Sequence, residues 1–278
     1  MSLRRITVAL GGSEYMDAAM AEAIDIAKRN GAELVGLAVM DLTLVDPVQA
    51  APIGGAAAAA ELREQREEMV RAGMRDAIAE FTKVCEAAGL PFRVIEAEGD
   101  AQEAITDAMK LSDLGIVGIR HAFDYGTVAH DDAFLARVAR ASNRPIIAMT
   151  TPARAIRRIL VAYDGSQVSA DALRSFGVLN AFDPQIVRVV SCIEGSDTDA
   201  TDRQLADARG YLELHGYTVE TVALDGHPST AILEHARAFE ADVVVMGAVG
   251  RRGLSKLLAG DTASSMLAAS DIPLFLRR

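Results

Sequence analysis

Short apolar runs alternate with helical patterns along the whole chain. Residues 6–10 form a β-branched run stopped by Gly11-Gly12, which predicts a buried strand. Ser13 is a natural helix cap, and beyond it Ala18, Ala19, Ala23, Ile24 and Ala27 recur at helical spacing. Residues 34–40 predict a second strand, and residues 41–55, with Pro47, Pro52 and Gly54-Gly55, a long irregular connection. Loops of that length are commonly functional or disordered, so a flap or an oligomer contact is the expectation there. One long helix is predicted over residues 56–88. Its alanine run and Glu/Arg pairs favour helix, and Leu62, Met69, Ile78, Phe81 and Cys85 mark an apolar stripe. Strands at 92–97, 115–119 and 146–150 then alternate with helices at 101–111 and 131–142. The following half predicts strands at 159–163, 186–192, 218–224, 243–247 and 274–276. Strands alternating with helices imply an α/β fold with a mostly parallel sheet covered on both faces.

The chain also repeats itself. Residues 4–13 and 157–166 are identical at seven of ten positions, at an offset of 153. The ends of the halves, residues 141–148 and 269–276, resemble each other too. A period near 150 is too long for a solenoid, so we read two homologous domains, 1–151 and 155–278, each an open sheet of five strands. The last strand of each half is short and follows a proline. Pairing the two would remove two exposed edges at once, so an intramolecular pseudo-dimer is expected.

Composition narrows the function. The net charge is −11, with 15 basic and 23 acidic groups in residues 1–153 and 13 and 16 in the remainder. Neither half has the basic stripe that nucleic acid requires. No run of 18 apolar residues is present. The first residues lead straight into a strand pattern without a signal peptide, so the cytoplasm is the expected location. Cys85 and Cys192 form no CxxC and are expected to be two buried thiols.

Candidate chemistry concentrates in the second half. Residues 245–263 read as strand, glycine-rich loop and helix start. Gly247 and Gly250 would let a ligand approach the backbone. Gly260, Asp261, Thr262 and Ala263 lie at a helix start whose first N–H groups are unpaired, a natural anion site. Arg251, Arg252 and Lys256 add positive charge. Asp164, at the end of the first strand of this half, should face the same crevice beyond the strand ends. A nucleotide fits this set, with the carboxylate at the base or ribose end and glycine amides at the phosphates.

The pattern resembles the universal stress protein family. Asp164-Gly165-Ser166 matches its first motif, and Gly247-x2-Gly250-x9-Gly260 has the spacing of its second. The resemblance covers essentially the whole chain as two tandem copies. It implies a Rossmann-like fold, a role in stress tolerance, and an adenine nucleotide (ATP, ADP or AMP) bound in the second half. The residues so implied are Ala162, Asp164, Cys192, Met246, Gly247, Val249, Gly250, Arg251, Gly260, Asp261, Thr262 and Ala263. Where the family has Ser or Thr after the third glycine, this chain has Asp261. A carboxylate only accepts hydrogen bonds and repels a phosphate. Two unit charges about 4 Å apart cost roughly 4 kcal/mol at an effective dielectric near 20. Thr262 donating in its place, or Mg²⁺ between Asp261 and the phosphates, would offset that; otherwise fewer phosphates are preferred.

The first half departs further. Gly11 replaces the aspartate, His121 the second glycine, and Asp131-Asp132 the third glycine and its neighbour. This half is expected not to bind ATP in the family's manner. His121, His130, Asp131 and Asp132 match no closed zinc spacing, so no metal is assigned. His227 is read as a turn residue, and His215 and His235 as surface residues. No catalytic group is assigned. Two alternatives to a nucleotide-responsive module stay open: a structural or protein-partner-binding protein, and a slow ATPase or autophosphorylating protein. Association of two chains is left open as well.

Overall fold

The computed structural model describes residues 3–41, 56–120, 122–123, 125, 133–193, 198–248 and 262–278. Ten strands form one sheet. They are β1 (Arg5–Ala9), β2 (Glu33–Met40), β3 (Phe92–Glu98), β4 (Leu114–Gly118), β5 (Ile146–Met149), β6 (Arg158–Ala162), β7 (Ile186–Cys192), β8 (Val219–Leu224), β9 (Val243–Gly247) and β10 (Leu274–Arg277). Their order across the sheet is β3-β2-β1-β4-β5-β10-β9-β6-β7-β8. Every pairing is parallel except the central one, β5 with β10. The expected pseudo-dimer is therefore one continuous sheet. Its middle strands are buried but for Arg277 at the end of β10: Ile147 and Phe275 face each other in register, both 0% exposed.

The described helices are α1 (Glu14–Asn30), α2 (Ala56–Ala88), α3 (Ala101–Ala108), α4 (Phe134–Ala141), α5 (Gln167–Leu179), α6 (Thr198–Leu214), α7 (Pro228–Ala238) and α8 (Thr262–Ala269). Helices α1 and α2 pack together on one face, and α3 and α4 on the other. None of them is long and apolar enough to cross a membrane.

Contacts beyond the strand pair join the halves on both faces. Arg29 donates to the Ala181 carbonyl at 2.7 Å, and Asn30 to that of Asn180 at 3.4 Å. On the other face Arg120 donates to the Ala268 carbonyl, and Arg140 Nη2 lies 3.0 Å from Ser264 Oγ.

Local chemistry sets the element ends. Gly31 closes α1 in the left-handed region at φ +62. Asp100 caps α3 by accepting from the Glu103 N–H at 2.7 Å. Three expectations need correction. Ser13 stands at the N-cap of α1, yet its side chain makes no capping bond. Its Oγ is buried without a partner, and the Gly12 N–H turns to Met16 Sδ instead.

The predicted stripe on α2 is buried only from Val70 onward, through Met74, Ala77, Phe81 and Cys85. Leu62 and Met69 stay about half exposed, at 49% and 52%. A helix of 33 residues is roughly 50 Å long, and an eight-residue strand spans roughly 26 Å. The first turns of α2 therefore overshoot the sheet. The expected helix at 101–111 ends at Ala108 and tightens into a 3₁₀ turn over Met109–Leu111.

Candidate functional site

The second half places its motif at the ends of three neighbouring strands, β9-β6-β7. From β6 the chain moves outward to β7, and it later returns to the other flank as β9. A crevice at such a reversal of strand order is where open parallel sheets bind ligands. Ala162 pairs with Val190 and Val161 with Val245, so the three strand ends are level to within about two residues.

Asp164 stands two residues past β6. Its Oδ1 accepts the Ser166 N–H at 2.9 Å, closing a tight turn on its own backbone. Gly165 sits at φ +74, with Gln204 of α6 packed where a Cβ would be, 2.8 Å from Nε2. Ser166 then caps α5 by accepting the Ser169 N–H at 3.2 Å. Ser169 Oγ returns a bond to the Ser166 carbonyl at 3.0 Å. The turn is thus fixed from within and held from α6. A carboxylate so held suits a partner that offers hydroxyl donors, because it can only accept.

Tyr163 lies beside it. Burial first, then the Asp207 and Asp164 carboxylates, push its phenol pKa up, so the hydroxyl keeps its proton. Cys192 is the last residue of β7, in register with Leu224 of β8. It is partly exposed at the crevice, a correction to the expected pair of buried thiols; Cys85 is buried, and neither forms a disulfide.

Gly247 ends β9, and the room its missing side chain leaves is filled by protein. An added Cβ would come within 2.8 Å of Val168 Cγ1 and 3.2 Å of the Ser169 backbone nitrogen. The glycine brings the start of α5 against the strand end. Gly118 does the same at the end of β4, where a Cβ would meet Tyr15 Cβ at 2.5 Å.

Among the remaining sequence-derived residues, Ala162 is partly exposed at the end of β6. Met246 is buried in the core at 4% exposure, so its side chain belongs to the sheet. Thr262 opens α8, with Ala263 buried behind it. Val249, Gly250, Arg251, Gly260 and Asp261 lie outside the described residues, as do Arg252, Lys256, His121, His130, Asp131 and Asp132.

Sequence reasoning missed a positive corner. Arg277 stands in register with Gly247. Burial depresses its pKa; Asp171 opposes that, and Arg144, Arg174 and Arg278 add to it. Arg144 of the first half, Arg174 and Arg278 thus act on Arg277, as does the Asp171 carboxylate, beside the strand end that leads into the glycine-rich segment. No periodicity marks them, because Arg144 and Arg277 are brought together only by the β5–β10 pair. The histidines are placed by packing. His227 stands at the N-cap of α7 without a side-chain capping bond, its Nδ1 3.0 Å from Ser229 Oγ. His215 is exposed against the Tyr211 ring. His235 is half-buried beside Arg188, not fully on the surface, and burial followed by that guanidinium lowers its pKa.

Comparison with known proteins agrees with this architecture. The model of the universal stress protein family matches residues 2–117 and 155–278. Universal stress protein Slr1230 of Synechocystis is 21% identical over 287 residues, covering 99% of this chain and 100% of that protein. The crystal structure of a universal stress protein from Archaeoglobus fulgidus shares the fold, with a TM-score of 0.69 at 20% identity over 98% of both chains. A family protein from Arabidopsis thaliana has been solved with AMP bound; it covers 44% of this chain and 90% of its own, at 15% identity and a TM-score of 0.31. With the family matched in each half and over most of the chain, this protein belongs to the universal stress protein family, as two copies in tandem.

Proposed function

We propose that the chain is a stress-tolerance module that responds to adenine nucleotide by binding it in its second half, without turning it over. The observation that carries this is the fixed Asp164-Gly165-Ser166 turn beside the ends of β7 and β9, at the reversal of strand order. The base would lie against the backbone at Tyr163 and Cys192, and the ribose hydroxyls would donate to the Asp164 carboxylate. The phosphates would lie toward the glycine-rich segment after Gly247, on the side of the Arg277 corner. Val249, Gly250, Arg251, Gly260, Asp261, Thr262 and Ala263 are the residues assigned to them by the motif, with Mg²⁺ as the partner that would reconcile Asp261 with charge. No general base is assigned, which favours binding over hydrolysis. The working compartment in this reading is the cytoplasm.

The test is calorimetric titration with AMP, ADP and ATP, with and without Mg²⁺, of wild type and Asp164→Ala. Saturable binding of one nucleotide per chain, weakened about tenfold or more by Asp164→Ala, supports the reading. That loss corresponds to the roughly 1.5–3 kcal/mol of a hydrogen bond to a charged group. Equal affinity in the two proteins overturns the placement. No binding at millimolar nucleotide overturns the function and moves the search to protein partners. Phosphate release by wild type no faster than by Asp164→Ala is expected; a faster rate would make the module an ATPase.

A further inference from the structure

The first half keeps the crevice and fills it with its own chain. Tyr125 lies beyond β4 and is buried, at 6% exposure. Its hydroxyl donates to the Leu10 carbonyl oxygen at 2.5 Å and accepts the Val39 N–H at 3.3 Å. These two backbone groups stand at the ends of β1 and β2. The offset of 153 maps them onto the second half. The Leu10 N–H bonds the Leu37 carbonyl as the Tyr163 N–H bonds that of Val190. Arg5 pairs with Glu33 as Arg158 pairs with Ile186. Leu10 and Val39 are therefore the counterparts of Tyr163 and Cys192. The ring has a prepared seat: a Cβ on Gly73 of α2 would come within 2.8 Å of Tyr125 Cβ.

We propose that Tyr125 is a built-in ligand, occupying in the first half the subsite that a nucleotide base occupies in the second. The inference rests on the base placement proposed above. The chemistry of the seat defines what fits it: an acceptor for the Val39 N–H and a donor for the Leu10 carbonyl, on the edge of a flat ring. A phenol hydroxyl supplies both with one atom. The ring nitrogen and exocyclic amine of adenine supply them with two neighbouring atoms. Gly11 replaces the Asp164 carboxylate here, so the seat takes a ring and not a ribose.

The experiment compares the wild-type full chain with Tyr125→Ala and Tyr125→Phe, using adenine, 4-methylphenol and toluene as probes. Equilibrium dialysis should count one more adenine per chain for Tyr125→Ala than for wild type, and no gain for Tyr125→Phe, whose ring still fills the seat. The count for wild type itself reports on the second half. One going to two supports both readings, and zero going to one supports the built-in ligand while the second-half placement fails. Equal counts for wild type and Tyr125→Ala, or a gain in Tyr125→Phe, overturn the proposal. 4-Methylphenol at millimolar concentration should raise the melting temperature of Tyr125→Ala by several degrees, and toluene by less. If that variant does not fold unaided, its refolding yield from urea is read with the same additives: a gain with 4-methylphenol above that with toluene supports the proposal, and no gain overturns it.

Discussion

Glu22 gives the fold a pH dependence that one substitution should remove. It lies on α1 and is 6% exposed. Its carboxyl is pushed from 4.5 up to about 7, mainly by burial; Arg29 opposes the shift and Asp25 adds to it. Below pH 4.5 the folded and unfolded chains both hold the proton, and the group has no effect on stability. Between 4.5 and 7 the folded chain keeps a proton that the unfolded chain releases, so stability falls as pH rises. Above 7 both forms are ionised and the loss is complete. At about 1.4 kcal/mol for each tenfold change in proton affinity, the full loss is about 3 kcal/mol. Glu22→Gln is neutral throughout and close in shape. It should match wild type at pH 4.5–5 and exceed it by about 2–3 kcal/mol at pH 8. Urea unfolding of both proteins at pH 5, 6.5 and 8 measures this. Stability curves that stay parallel across that range would refute the reasoning, as would a variant less stable at pH 8 than wild type.

Three further substitutions test the packing around the site and the seam. Gly247→Ala should destabilise by roughly 1–3 kcal/mol, because its Cβ would press on Val168 and on the α5 backbone at Ser169; thermal unfolding reads this directly. Gly210→Ala, on an exposed stretch of α6 with nothing within 4 Å, should go the other way by roughly 0.5–1 kcal/mol in the same assay. Phe275→Ala, fully buried in a central strand and edge-on to Phe182 at 6.4 Å, should cost about 3–5 kcal/mol; a loss under 1 kcal/mol in chemical denaturation would mean that the seam is not packed as described.

The inner strands were legible because parallel strands buried on both faces are near-continuous apolar runs; β2 is almost wholly buried and reads so. The duplication made the pairing of β5 with β10 legible as well, since two short edges in one chain have a common remedy. What periodicity could not see was where the sheet ends. Leu62 and Met69 carry the helical spacing of a core stripe but lie beyond the strands that would cover them. A cap residue likewise announces a helix start without guaranteeing a bond, as Ser13 and Ser166 show from the same position in the two halves. Asp164 was readable because it sits in a motif. Tyr125 and the Arg144–Arg277 approach were not, because each depends on residues brought together across more than 80 positions.

The two halves together separate frame from site. If the glycine ending the fourth strand of each half served a ligand first, the half that lost the aspartate would be free to lose the glycine. Both halves keep it, and in both a Cβ would collide with the first helix of that half, at Tyr15 or at Val168. The glycine answers to the packing of helix on strand, which the two copies share. The positions that differ at the same crevice are Asp164 against Gly11, and the backbone at Tyr163 and Cys192 against Leu10 and Val39 holding Tyr125. A change at Gly247 therefore perturbs the packing of helix on strand whatever it does to binding. In the proposed function a change at Asp164 removes a ligand contact, together with the bond its Oδ1 accepts from the Ser166 N–H, and leaves the strand and the core as they are. Binding and melting measured side by side on these two variants should separate accordingly: affinity lost about tenfold or more with a stability loss of no more than about 1 kcal/mol for Asp164→Ala, and a larger stability loss for Gly247→Ala.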